Sequence, residues 1–314
     1  MKNYSIYICL TAALISLSCN ESFNPEAPFK EQYVLNCIIR GDSLMQMAVL
    51  GETYDANGTD PSLNTVDPSI AGAPVYIKWK KQIFQMRDSS IARTDTSRYK
   101  DPLKFYYTKA FKPSFHDSLE ITAYPAAGVV LSSKIRVPNG VVINFFPTWI
   151  ADTTRTIQFS WIQSDGNCFF LPRLKILYKK RNEIPAILHT MEVPVSYNTT
   201  GGVTTPVYPG ISEATGVEYQ INMVNDYILK VSQGDDKDNY QFYSLQLELL
   251  IFDQYLAAYI STTNGFPDNL SIRLDEPNYT NIKGGLGIFG SYLFNNNITI
   301  SFSAEYLMSL GYTQ

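Results

Sequence analysis

Tyr243-Ser244-Leu245-Gln246-Leu247-Glu248-Leu249 alternates apolar and polar residues without a break. Successive side chains of a strand point to opposite faces, so this pattern predicts a strand with one face in a core and the other toward water. Thr156-Ile157-Gln158-Phe159-Ser160-Trp161 shows the same period, and Leu174-Lys175-Ile176-Leu177-Tyr178 follows it closely. The chain has 22 Tyr and 17 Phe with plentiful Thr, Val and Ile, residues that fit a pleated, half-buried surface. The expected class is therefore mainly all-β.

Just beyond that strand, Asp253 is placed to cap a short helix. Tyr255, Leu256, Tyr259 and Ile260 would form its one buried stripe, and it would end near Asn264-Gly265. Two closing strands are expected at Leu286–Phe294 and Ile298–Phe302, with Asn295-Asn296-Asn297 as the turn between them. Thr199–Pro209, rich in Gly, Thr and Pro, reads as a loop.

Toward the N-terminus the strands are short. They fall at 33–39, 45–50, 74–79, 81–85, 105–107, 119–124 and 129–137, with Arg40-Gly41-Asp42-Ser43 as a turn. The stretches 54–71 and 87–101 are polar connections. Seven strands in about 110 residues is the spacing of an immunoglobulin-like sandwich. The expectation is an immunoglobulin-like β-sandwich over 31–138, closed by Pro138-Asn139-Gly140. A second β-rich domain with one short helix would then occupy 141–314.

Ahead of the sandwich, residues 1–18 read as a signal peptide. Lys2 supplies the positive end, and Tyr4–Leu17 is apolar but shorter than the ~20 residues that a membrane-spanning helix needs. Ser16-Leu17-Ser18-Cys19 then closes the leader as in a bacterial lipoprotein signal, which makes Cys19 the expected lipidation site. Ser16 stands where Leu is commonest in such signals, so a secretory signal with an incidental cysteine is the other reading. Cys9 has too little apolar chain before it to serve instead. Residues 19–30, polar and proline-bearing, form a tether.

Removing residues 1–18 deletes Lys2, their one charged residue, and takes the formal charge from −4 to −5. An acidic, mixed surface argues against nucleic acid, which needs a basic stripe. Cys37 and Cys168 remain, each in an apolar run and far apart in sequence. They read as buried thiols, with an interdomain disulfide as the alternative in an oxidising envelope.

Four stretches resemble functional motifs. Gly41-Asp42-Ser43-Leu44 matches the tetrapeptide of a serine-esterase family. Yet Met223-Val224-Asn225-Asp226 lacks the glycine of the companion block, and neither His116 nor His189 lies in the required Asp-x-x-His. Arg40-Gly41-Asp42 is an adhesion tripeptide that a turn explains equally well. Gly285-Leu286-Gly287-Ile288-Phe289-Gly290 has dinucleotide-fingerprint spacing, but strands rather than a βαβ unit follow it, so a bent strand is expected. Asp55–Asp60 and Asp235–Asn239 offer loop oxygens to calcium without the complete twelve-residue pattern, and solvated turns are expected. No catalytic, cofactor-binding or metal-binding residue is assigned. Trp79, Tyr106, Tyr107 and Trp161 could stack on sugars if exposed, or fill the core.

Asp253-Gln254-Tyr255-Leu256 and Asn281-Ile282-Lys283-Gly284-Gly285-Leu286-Gly287-Ile288-Phe289-Gly290 together resemble a family of Bacteroidota envelope lipoproteins catalogued as a domain of unknown function. In that family a strand, a short Tyr-bearing helix and an Asn-Ile-x-x-Gly-x-Gly-x-Phe-Gly motif recur in this order. Cys19, Tyr33-Val34-Leu35 and Ala73-Pro74-Val75-Tyr76-Ile77 agree with its N-terminal part, so the likeness covers most of the mature chain. Members are often encoded beside TonB-dependent outer-membrane receptors. The resemblance implies a lipid-anchored, non-catalytic accessory protein of the outer membrane working beside such a receptor, and it carries no catalytic residues over. A glycan-binding or adhesion module is the alternative. Glu21 is almost the only acid near Cys19, which leaves the periplasmic and cell-surface faces both open.

Overall fold

The computed structural model describes residues 30–54, 64–164, 167–262 and 279–313. The chain divides into two compact units, Met1–Glu31 and Gln32–Gln314, and the described fold is that of the second.

Among the described residues, β1 is Tyr33–Arg40, β2 Gln46–Glu52, β3 Val75–Trp79, β4 Gln82–Gln85, β5 Arg87–Ile91 and β6 Leu103–Thr108. They are followed by β7 Ser118–Ala123, β8 Leu131–Arg136, β9 Val142–Phe146, β10 Trp149–Ile150, β11 Thr156–Ile162 and β12 Cys168–Lys180. Next come β13 His189–Val193, β14 Ser196–Thr200, β15 Val203–Val207, β16 Gly216–Gln220 and helix α1 Ile221–Val231. The chain closes with β17 Tyr240–Asp253, α2 Gln254–Thr262, β18 Leu286–Phe302 and α3 Ala304–Ser309. The described residues are mainly β, in keeping with the composition, and include three α-helices where one was expected.

A nine-stranded sheet runs β13-β12-β17-β18-β1-β2-β6-β5, with β10 added alongside β18. It overturns the expected boundary after Pro138, because strands from both sides of that point belong to it. β1 lies parallel to the first half of β18, Val34 opposite Leu286 through Arg40 opposite Tyr292. β17 pairs antiparallel with the second half, Phe252 opposite Tyr292 through Ser244 opposite Ser301. The expected domains 31–138 and 141–314 therefore form one body. An N-terminal two-layer arrangement does exist, β4-β3-β7-β8 over β1-β2-β6-β5, but its second layer is half of the shared sheet.

One large core joins both halves. Leu35, Cys37 and Ile39 of β1 meet Val75, Ile77 and Ile121 of the four-stranded layer in the same cluster as Leu249, Ile251 and Phe170. The three-stranded sheet β16-β11-β9 adds Phe159, Trp161 and Tyr219 to it, and α1 adds Val224 and Ile228. Strand alternation sends Leu250 and Phe252 to the opposite face, where α2 covers them with Leu256, Tyr259 and Ile260. Full burial of a Leu or Ile contributes roughly 1.5–3 kcal/mol. The expected cap is present, with Leu256 N–H donating to Asp253 Oδ1 at 2.7 Å.

The glycine-rich stretch is where three backbones meet. A Cβ on Gly287, at φ +113°, would lie 2.1 Å from Leu35 O, and one on Gly285 would lie 2.5 Å from Tyr33 O. A Cβ on Gly290 would lie 2.8 Å from Leu256 Cβ, so this glycine admits helix α2. Asn281 substitutes for a neighbouring strand, accepting Phe289 N–H at 2.8 Å and donating to Phe289 O at 2.6 Å. The dinucleotide-like spacing thus serves close packing of a strand whose register with β1 is unbroken from Leu286 to Tyr292.

Other differences have local causes. Asn295-Asn296-Asn297 is no turn, because β18 continues through it with a bulge. Leu247 faces Ile298 and Leu249 faces Asn295, so two residues of β18 stand against one of β17 between those pairs. The expected loop at Thr199–Pro209 holds most of the hairpin β14–β15, turned by Gly201 and Gly202 at φ +60° and +80°. β5, Arg-Asp-Ser-Ser-Ile, is exposed throughout and shows no apolar period to read. No described helix is long and apolar enough to cross a membrane.

Candidate functional site

Cys19 and the Asp55–Asp60 loop lie outside the described residues. The Arg40–Ser43 turn is present and internally satisfied. Arg40 grips Asp42 through two hydrogen bonds of 2.6 and 2.9 Å. Ser43 Oγ accepts Met45 N–H, and buried Gln46 donates to the carbonyls of Arg40 and Ser43. Of the two histidines, His189 is bound to Glu183 and stacks on Tyr178. His116 follows Phe115 with φ +63°.

The second acidic loop spends its carboxylates on its own fold. Asp235 accepts from Asp236 N–H, Asn239 Nδ2 and Tyr240 Oη. Asp236 accepts Asp238 N–H, and Asp238 accepts from Thr313 Oγ1. Among the described residues no group of three His, Cys, Asp or Glu is placed to hold a metal. Cys37 and Cys168 are buried and form no disulfide. Burial pushes the Cys37 thiol well above its ordinary pKa, because a thiolate there would be stripped of water.

Of the four rings proposed for sugar stacking, Trp79 and Tyr107 are half-buried and the other two are not exposed. Tyr106 and Trp161 are core residues. Trp79 stacks on Phe111 at 5.4 Å and donates its indole N–H to Asp117 Oδ2 at 2.7 Å.

Recesses among the described residues include the following three. A groove of about 620 Å³ runs along Gly72–Pro74 and Gln85–Asp88. Its Tyr106 hydroxyl is used within the fold, accepting Ala73 N–H and donating to Ile70 O. A cavity of about 160 Å³ opens beside register partners Cys168 and Asp253. Asp253 is 6% exposed, and burial raises its carboxyl to about 6 against hydrogen bonds that favour the charge. One of those is from Ser291 Oγ at 2.7 Å.

The third recess, about 380 Å³, lies where β1 ends and β18 runs on with only β17 beside it until β10 joins at Ser301. Ile251 and the Leu293 side chain are among its buried apolar lining. Gly41 allows the chain to turn here, since a Cβ would lie 2.5 Å from Leu293 Cδ2. Phe115 lies on Gly140, whose Cβ would come within 2.9 Å of the ring, yet the side chain is 59% exposed. Phe294 stands under the Arg40 guanidinium at 5.8 Å. Lys112 and Ser114 complete the rim with Asp42.

The Phe115 turn is rigidly held. Asp117 Oδ2 accepts both Ser114 N–H at 2.8 Å and the Trp79 indole N–H, while Asp117 N–H donates to Ser114 O. Val137 N–H then bonds Asp117 O at 2.9 Å. Sequence reasoning passed over Lys112 and Phe115 because they lie in an aperiodic connection. The sequence pattern marks Phe294 only as the end of a strand.

No protein-family profile matches this sequence, and no curated protein matches it.

Proposed function

We propose that the protein is an outer-membrane-tethered lipoprotein of binding type that assists a TonB-dependent receptor. The observation that carries this reading is the leader, with Lys2, apolar Tyr4–Leu17 and Cys19 at its close. Acyl chains on such a cysteine hold a protein at a bilayer by burying methylenes, durably when more than one chain is present. From Cys19 to Glu31 the tether spans at most about 40 Å when extended. The compact body starts at Gln32, where the chain is tied in by Gln32 N–H to Thr53 Oγ1 at 2.9 Å and Thr53 N–H to Gln32 O at 2.8 Å. The likeness around Asn281–Gly290 supplies the receptor as partner. The glycan reading loses the exposed ring row on which it was built.

Membrane fractionation of wild type and Cys19→Ala, followed by cross-linking and affinity capture from intact cells, tests this. Wild type is expected in the outer-membrane fraction with a TonB-dependent receptor among the captured proteins, and Cys19→Ala in the soluble envelope fraction. Membrane retention of Cys19→Ala, or repeated capture without a receptor, overturns it.

A further inference from the structure

The geometry points to the recess at the fork of β1 and β18 as a binding site for a small organic anion with a flat apolar body, an aryl carboxylate in class. At about 380 Å³ it falls within the size range of small-molecule sites. It also occupies the seam between the two halves of the fold, the kind of place where such sites gather.

Its lining divides the work. Buried Leu293 and Ile251 offer apolar surface and Phe115 offers a ring for a flat partner, while the Phe294 side chain, opposite Leu250, packs on the face that α2 covers. Phe115 is a large aromatic left 59% exposed on a turn pinned by Asp117, so ordering that ring on binding costs little. The rim then sets the sign of charge. Arg40 is neutralised by its two bonds to Asp42. Lys112 is exposed and makes no ion pair with any described residue. Arg40 lies outside the lining but satisfies the charge of Asp42, so Lys112 is left as the net positive charge at the opening. The negative charge of the chain as a whole is screened beyond about 8 Å at physiological salt, so the local lysine decides. None of this depends on the tether or on a receptor.

The test uses the full-length chain reconstituted in lipid nanodiscs, with empty nanodiscs as the reference for partitioning. 1-Naphthoate and its uncharged analogue 1-naphthamide are titrated by calorimetry and ligand-observed NMR. Saturable naphthoate binding is expected, weakened about five- to tenfold by Lys112→Gln, while naphthamide is indifferent to that change. Phe115→Ala should weaken both ligands about tenfold, and Phe115→Trp should restore them. Both side chains are exposed, so thermal midpoints should not move; if Phe115→Ala does unfold, Lys112→Gln decides alone. No naphthoate binding above empty nanodiscs, or equal affinity in wild type and Lys112→Gln, overturns the assignment.

Discussion

Asp253→Asn should convert a pH-dependent weakness of the fold into a pH-independent contact. Asp253 is 6% exposed between β17 and α2. Its Oδ1 accepts Leu256 N–H and its Oδ2 accepts the Ser291 hydroxyl, both at 2.7 Å. Desolvation outweighs these bonds and raises the carboxyl from 3.8 to about 6. The native state thus holds this proton more tightly than the unfolded state. The associated stability is fully present below about pH 4 and is lost as pH rises through about 6. A two-unit shift corresponds to about 3 kcal/mol. Asparagine keeps an acceptor for Leu256 N–H. Its amide can donate to Ser291 Oγ, whose own proton turns to Arg136 O, already 3.4 Å away. Lost charge assistance offsets part of the gain, so at pH 7.5 the variant should be more stable by about 1–2 kcal/mol. Urea unfolding of both proteins from pH 4 to 8 isolates the effect, because the other carboxylates cancel in the difference. That difference should move by about 3 kcal/mol in favour of the variant as pH rises. A flat difference, or one moving toward wild type, would refute the reasoning.

Gly287→Ala would force a Cβ to within 2.1 Å of Leu35 O at φ +113°. It should cost more than about 4 kcal/mol or abolish soluble expression, read by denaturant midpoint and yield. Asn281→Ala removes both bonds to Phe289 and leaves its backbone N–H and C=O without them, a loss of about 2–3 kcal/mol in the same assay. Cys37 should resist a thiol reagent at pH 8 in the native protein and react fully in denaturant, because its thiolate is disfavoured by burial. Rapid native labelling, mapped to Cys37 by peptide mass, would contradict its placement.

Much of the local structure was legible. Alternation at 243–249 and 156–161 marked strands, and Asp253 followed by Tyr255, Leu256, Tyr259 and Ile260 marked α2, because the period of apolar residues records which face is buried. Helix α1 carries buried Met223, Val224, Tyr227 and Ile228 at helical spacing, yet its Asn225-Asp226 drew attention as a failed enzyme block. β5 was invisible, since an exposed edge strand needs no apolar period. At the site, Gly41 and Asp42 stand out in the sequence only as parts of unrelated motifs, and Gly140 and Asn295 only as turn signals.

That the chain is built of strands, where most of them run, and how Asp253 starts its helix all follow from residues within a few positions of one another. Tertiary structure alone decided that there is one body rather than two. Asn36 Oδ1 receives Ile288 N–H across 252 positions, and the choice of a strand's neighbour rests on backbone hydrogen bonds and shape-matched cores that no local period encodes. The same long-range pairing ends β1 opposite Tyr292 while β18 continues beside β17, and so opens on the vacated edge the recess that Phe115 and Lys112 enclose.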